Sequence, residues 1–340
     1  MERWMRGFVL LTASCLAGWL ATASLATRAN AADVVLRASH QFPGGEGDLR
    51  DEMVQLLARE VAAANVGLRI EVYPAQQLVK AGEQWDALVA GTLDIAAFPL
   101  DYASREHPAF SATLMPGLVH DHDRAERLNH SGFMDDIKAM VDEAGVLVLA
   151  DAWLSGGFAS RKACITNPDS IKGQVARAAG PAFEEMLAAA GATISTMDST
   201  QIHDAMAAGT LDAVNTSSSS FVSFKLYDKA VCLTAPGDNA LWFMYEPILM
   251  SKAAWEKLTP EQQSALASAS AKAEEFFLAE APALDEKMVA AYRDAGVEVV
   301  EMSQDDYDAW LALAKATAWK TFAETVEGGA ALLEKAQAVE

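Results

Sequence analysis

The apolar and polar positions fall into two similar series. Val34–Ser39 is a short apolar run, Asp48–Ala64 sets Met53, Leu56, Leu57 and Val61 on one helical face, and Leu68–Tyr73 alternates as a strand. Glu83–Ala90 predicts another helix and Ile95–Pro99 another strand. The order β-α-β-α-β predicts a parallel sheet with right-handed crossovers. The second series reads Gln174–Ala178 strand, Ala182–Ala190 helix, Thr193–Met197 strand, Thr200–Ala208 helix and Leu211–Asn215 strand. Between them, Val146–Trp153 and Gly157–Ile165 predict strands that cross from one half to the other.

Two echoes support related halves. Residues 86–94 read Asp-Ala-Leu-Val-Ala-Gly-Thr-Leu-Asp, and residues 204–212 read Asp-Ala-Met-Ala-Ala-Gly-Thr-Leu-Asp. Each predicts a helix end, a glycine cap and a buried strand. Upstream, Val35-Leu36-Arg37-Ala38-Ser39 is matched by Val175-Ala176-Arg177-Ala178-Ala179. The C-terminal third is mostly helical. Thr259-Pro260-Glu261-Gln262 is a capping-box start for a helix to about Ala295, with Pro282 expected to kink or break it. Another helix is expected over Gln304–Thr325, closing at Gly328-Gly329.

The first thirty residues differ from the rest. Arg3 and Arg6 precede an apolar run from Phe8 to about Leu20, followed by small residues ending in Ala29-Asn30-Ala31. That order predicts an export signal over residues 1–31, cleaved after Ala31, and a periplasmic protein. The chain is 51% hydrophobic and 21% charged, which fits globular cores, and its net charge of −21 opposes binding to nucleic acid. Beyond the signal, Cys164 and Cys232 can form a disulfide in an oxidising compartment or remain two buried thiols, and the sequence leaves both open.

Catalytic motifs are few. Gly44-Gly45-Glu46-Gly47-Asp48 lacks phosphate-loop spacing and carries repelling acids, so it reads as a turn with Asp48 capping a helix. His120-Asp121-His122-Asp123 resembles a metal cluster but reads more simply as a helix start with acids in its first turn. Neither a metal nor another cofactor is expected. The strand ends carry the remaining chemistry: His40, Gln41 and Phe42, then Pro74–Gln77 and Pro99–Tyr102, in the first half, and Arg177, Asp198-Ser199, Asn215, Thr216, Ser217 and Ser218 in the second. Ligands of open parallel sheets bind beyond such ends.

Longer stretches carry a family resemblance. Ser170-Ile171-Lys172-Gly173-Gln174-Val175-Ala176-Arg177 with Phe183 and Ala189–Ala192, then Ala207–Ala213, Phe224–Tyr227 and Ser251–Gln263, resemble the DctP-type solute receptors of TRAP transporters. The resemblance implies an α/β, two-lobe periplasmic-binding-protein architecture with crossing strands and a long C-terminal hinge helix. Lobe I is expected over 32–150 with return segments from the C-terminal part, lobe II over 151–250, and a bridging helical region over 251–340. It also implies a monomer that captures a small organic acid and delivers it, without ATP, to a sodium-driven TRAP permease. At the position matching Arg177, the family pairs an arginine with the ligand carboxylate, which suits a planar, permanently charged fork. Two departures modify this picture. Val214-Asn215-Thr216-Ser217 replaces the usual asparagine-bearing stretch, and Trp153–Phe158 lacks a second arginine. With aromatics at Trp153, Phe158, Trp242, Phe243 and Tyr245, these departures point to a less polar monocarboxylate, an aromatic or branched acid of the 2-oxo or hydroxy type. A periplasmic hydrolase or metal-dependent enzyme on a similar scaffold is the alternative.

Overall fold

The computed structural model describes residues 34–45, 47–237 and 240–339. The expected signal and its cleavage after Ala31 lie outside these residues. No helix among the described residues is long and apolar enough to cross a membrane.

Twelve strands form two sheets among the described residues. They are β1 Val34–His40, β2 Leu68–Tyr73, β3 Ile95–Ala97, β4 Val146–Ala150, β5 Trp153–Ser160, β6 Val175–Ala178, β7 Thr193–Thr196, β8 Ala213–Ser217, β9 Cys232–Ala235, β10 Trp242–Tyr245, β11 Ile248–Ser251 and β12 Glu298–Glu301. The first sheet runs β2-β1-β3-β11-β4. β1 is parallel to β2 and β3, and β11 lies antiparallel between β3 and β4. The second runs β12-β9-β5-β8-β6-β7, with β10 paired to the start of β5. Both expected β-α-β-α-β series are present, and each sheet is completed by antiparallel strands from the crossing segments.

The Gly-Thr-Leu-Asp echo is one device used twice. Gly91 and Gly209 take positive φ at the helix ends, which a residue without Cβ accepts. Thr92 and Thr210 donate from both backbone N–H and hydroxyl to the carbonyls of Ala87 and Ala205. The closing aspartates then accept a backbone N–H from the neighbouring strand: Asp94 from Arg37 at 2.8 Å and Asp212 from Val175 at 2.9 Å. Each lobe therefore fixes the register of its central strands with the same carboxylate.

Two short connections join the lobes, from β4 to β5 through Asp151-Ala152 and from β10 to β11 through Glu246-Pro247. They run side by side, and the Glu246 N–H donates to the Ala152 carbonyl at 2.8 Å. The crossing segment expected over Gly157–Ile165 is instead the second half of β5, which ends at Ser160. A close approach explains the glycines in β5: a Cβ on Gly156 would lie 2.0 Å from the Thr216 carbonyl oxygen and 2.5 Å from the Trp242 ring.

The helix begun by the Thr259 capping box spans Pro260–Glu280 and packs on the helix Leu49–Ala63 of lobe I. After Pro282 a second helix, Ala283–Asp294, packs on lobe II. The chain therefore passes between the lobes a third time at the expected proline break. The helix expected over Gln304–Thr325 is divided into Gln304–Ala316 and Ala318–Thr325, and Gly329–Gln337 forms a further helix. The division falls at Thr317, whose hydroxyl donates to the Leu313 carbonyl four residues back at 2.7 Å; such back-bonding bends helices. Cys164 and Cys232 form a disulfide, fixing the loop after β5 to β9.

Candidate ligand site between the lobes

Arg177 projects from β6, whose parallel neighbours are β7 and β8. It is almost wholly buried. Its Nε donates to the Met197 carbonyl at 3.0 Å, Nη1 to the Asn215 carbonyl at 2.9 Å, and Nη2 to the Tyr102 hydroxyl of lobe I at 3.1 Å. A guanidinium has five N–H donors. Three are used in positioning, and two, one on each Nη, have no acceptor among the described residues.

Asn215 contributes further donors. Its Oδ1 accepts the Ala179 N–H at 3.1 Å, which fixes the amide orientation, because a backbone donor needs an oxygen. Its Nδ2 is buried without a partner among the described residues. Gln41 arrives from lobe I, and its Nε2 donates to Ser199 Oγ at 3.0 Å. The Tyr102 hydroxyl oxygen also accepts the Ser199 N–H at 3.1 Å. Gln76 of lobe I donates to Thr200 Oγ1 at 3.1 Å. The lobes thus meet through direct hydrogen bonds around Arg177, as in a closed receptor.

The other candidates separate into two groups. His40, Phe42 and Ser217 surround a second buried arginine, Arg50. His40 Nε2 lies 3.0 Å from Asp51 Oδ1, and its ring stacks on Phe42. The Phe42 ring lies 3.5 Å below the Arg50 guanidinium carbon. Ser217 caps the helix Ser218–Ser223 and accepts from Arg50 at 3.2 Å. Trp153 and Phe158 belong to the core: Trp153 donates to Asn129 Oδ1 at 2.8 Å, and Phe158 stacks on Trp310. Trp242 pairs with Gly156 across β10 and β5, and Phe243 packs edge-on against His122. Thr216 is buried in β8 opposite Gly157. The His120–Asp123 side chains do not converge. His120 lies against Asp121, which also caps the helix His122–Asn129, while His122 faces Asp285.

Sequence reasoning did not single out Arg50. It chelates Asp48 through Nε and Nη2, and its Nη1 donates to Glu246 Oε2 at 2.8 Å and to Ser220 Oγ at 3.1 Å. This ties lobe I, a crossing segment and lobe II together. Burial favours the neutral form of both acids, but the bidentate Arg50 contact outweighs it at Asp48, whose carboxyl is held below its usual range. Glu246 takes one hydrogen bond from Arg50, and burial keeps its carboxyl above its usual range. An arginine in a helix's first turn opposes the helix dipole, and that was the available sequence signal.

Two α/β lobes on paired crossing strands, meeting over a buried guanidinium with unspent donors, define a hinged receptor for small solutes. The family model for bacterial extracellular solute-binding proteins, family 7 (DctP), matches residues 45–325, and the chain belongs to that family. It is a TRAP-type solute receptor rather than an enzyme. A solute-binding protein of Albidiferax ferrireducens is 38% identical over 306 residues, covering 89% of this chain and 90% of its own. A TRAP periplasmic solute-binding protein from Rhodoferax ferrireducens, solved with bound malonate, superposes with a TM-score of 0.86 at 38% identity, covering 89% of this chain and 97% of that one. A Bordetella pertussis extracytoplasmic solute receptor binding pyroglutamic acid shares the fold, with a TM-score of 0.81 at 20% identity over 89% of this chain and 99% of its own.

Proposed function

We propose that the chain is a periplasmic receptor that captures a short organic acid on Arg177 and delivers it to a sodium-coupled TRAP permease. The observation that carries this reading is the set of unspent donors at the lobe boundary: two N–H groups of Arg177 and the amino group of Asn215. A carboxylate accepts from both Nη atoms of an arginine, and charge-assisted pairs of this kind are the stronger hydrogen bonds. Asn215 Nδ2 then donates to a 2-oxo or 2-hydroxy oxygen. Trp153 and Phe158 are committed to the core, which favours a small acid over an aromatic one. The malonate held by the Rhodoferax neighbour supports the same size class. We place lobe I over 32–150 together with the returning strand Ile248–Ser251, lobe II over the remainder of 151–250, and the bridging helices over the remainder of 251–340.

Closing the lobes removes water from the ion pair and strengthens it. The ligand shifts the protein to the closed form only by its preference for that form. A melting-temperature screen of short mono- and dicarboxylates identifies the ligand, because binding to the native state raises the melting point. Calorimetry then compares the wild type with Arg177→Met, which keeps much of the side-chain volume. Loss of at least 100-fold in affinity with a retained circular dichroism spectrum is expected; equal affinity overturns the assignment.

A further inference from the structure

Asp101 sits just past β3, in the turn Leu100–Ala103, and is 2% exposed. Its Oδ1 accepts from Ser104 Oγ at 3.0 Å. Its Oδ2 has no hydrogen-bond partner among the described residues. That oxygen lies against Gly180 of lobe II, where a Cβ would be only 1.5 Å away. The carboxyl is therefore enclosed by the meeting of the lobes.

No cation among the described residues pairs with it directly. The protein contacts of Arg177, from β6, go to Met197, Asn215 and Tyr102. Arg105, from the same segment as Asp101, forks onto Glu184 at 3.1 Å. Glu184, on the helix Pro181–Ala189, adds a like charge. Asp198 and Tyr102 line the same crevice of about 190 Å³, and Asp198 is held by the Thr200 N–H at 2.9 Å. A buried carboxylate without a paired charge relieves its desolvation by taking a proton.

Resting on the receptor reading above, we propose that Asp101 is a proton-binding site that fills as the lobes close, so that capture of the anion is coupled to uptake of one proton. The carboxylate of the open form takes the proton from solvent, the closed form holds it as a neutral carboxyl, and opening returns it. Burial first, and Glu184 to a lesser extent, push the closed-form carboxyl up to about 7 from its ordinary 3.8, while the Ser104 hydrogen bond, Arg177 and Arg105 oppose this. Linkage then makes closure more favourable as pH falls from about 8 towards 4.

The test is calorimetry with malonate or, where malonate gives no heat, with the acid producing the largest melting shift in the screen. Titrations at pH 7 in phosphate and in Tris, whose ionisation heats differ, report proton exchange. The wild type should take up about half a proton per ligand and bind about tenfold more tightly at pH 6 than at pH 8. Asp101→Asn and Asp101→Ala should both lose that uptake and flatten the profile. The variant-minus-wild-type difference isolates Asp101, because every other group is present in all three. Coincident profiles for the wild type and either folded variant overturn the proton site while leaving the receptor reading intact. A wild type that no acid stabilises overturns the receptor reading, and the proton site with it.

Discussion

Gly180→Ala tests whether the lobes close on the contact described above. Gly180 has φ −167° and ψ 179°, an extended conformation open to any residue. It precedes the helix Pro181–Ala189 without a side-chain cap, so local destabilisation should stay below about 1 kcal/mol. Across the crevice the effect is larger. The new methyl would stand 1.5 Å from Asp101 Oδ2, 2.4 Å from Cγ and 2.8 Å from Oδ1. Heavy atoms rest at about 3.5 Å, so about 2 Å of retreat is required. Overpacking costs about 1–3 kcal/mol, charged here against the closed form alone. Ligand affinity should fall by about 10- to 100-fold, while the melting temperature without ligand changes by a few degrees. Isothermal calorimetry measures the first and differential scanning fluorimetry the second. Asp101→Ala removes the opposing atoms, so the double variant should regain most of the affinity, a coupling that a double-mutant cycle reads directly. Undiminished binding by Gly180→Ala, or no rescue in the double variant, would refute this account of closure.

Other outcomes follow from the same contacts. Arg50→Met strands Asp48 and Glu246 without their partner and should cost about 3–5 kcal/mol in urea unfolding; a loss under 1 kcal/mol would show that the network contributes little. The disulfide closes a 68-residue separation, so chain entropy assigns it about 4 kcal/mol. Cys164→Ser/Cys232→Ser should melt well below the oxidised wild type and match the reduced one; coincident melting curves for oxidised protein and variant would contradict this. Thr259→Ala removes the capping-box hydroxyl that accepts the Gln262 N–H at 3.2 Å, at a cost of about 1 kcal/mol by denaturant midpoint. Asp101 also predicts a pH trend in the stability of the ligand-saturated, closed protein. Its native-state carboxyl titrates above the unfolded one, so the folded state binds the extra proton, and its contribution declines as pH rises from about 4 to 7. Asp101→Asn should remove that slope from urea midpoints measured across the window.

The parallel half of each sheet was legible because helix spacing and short apolar runs are local signals, reinforced by the Gly-Thr-Leu-Asp echo. The antiparallel completion was harder to read. β5 is buried along its whole length, so Trp153–Ser160 shows no alternation to separate one face from the other. The Thr317 break carries no glycine or proline and depends on one hydroxyl's choice of acceptor. At the candidate site, the strand ends point to Arg177 and Asn215. Tyr102 lies 75 residues away in sequence and reaches Arg177 only because the lobes meet. Asp101 and Tyr102 read as a strand end, but their burial against Gly180 and Ser199 is tertiary and has no local signature. Trp153 and Phe158 show the converse: aromatic character beside a candidate rim resolves into packing on Tyr245 and Trp310.

The paired connections at Asp151-Ala152 and Glu246-Pro247 have a mechanical consequence. A single flexible joint would let the halves swivel and slide, whereas two adjacent joints tied by a backbone hydrogen bond resist twisting and leave one easy axis of rotation. Opening of the cleft then proceeds as rotation about that axis, and on the receptor reading proposed above a membrane partner need sense only the angle.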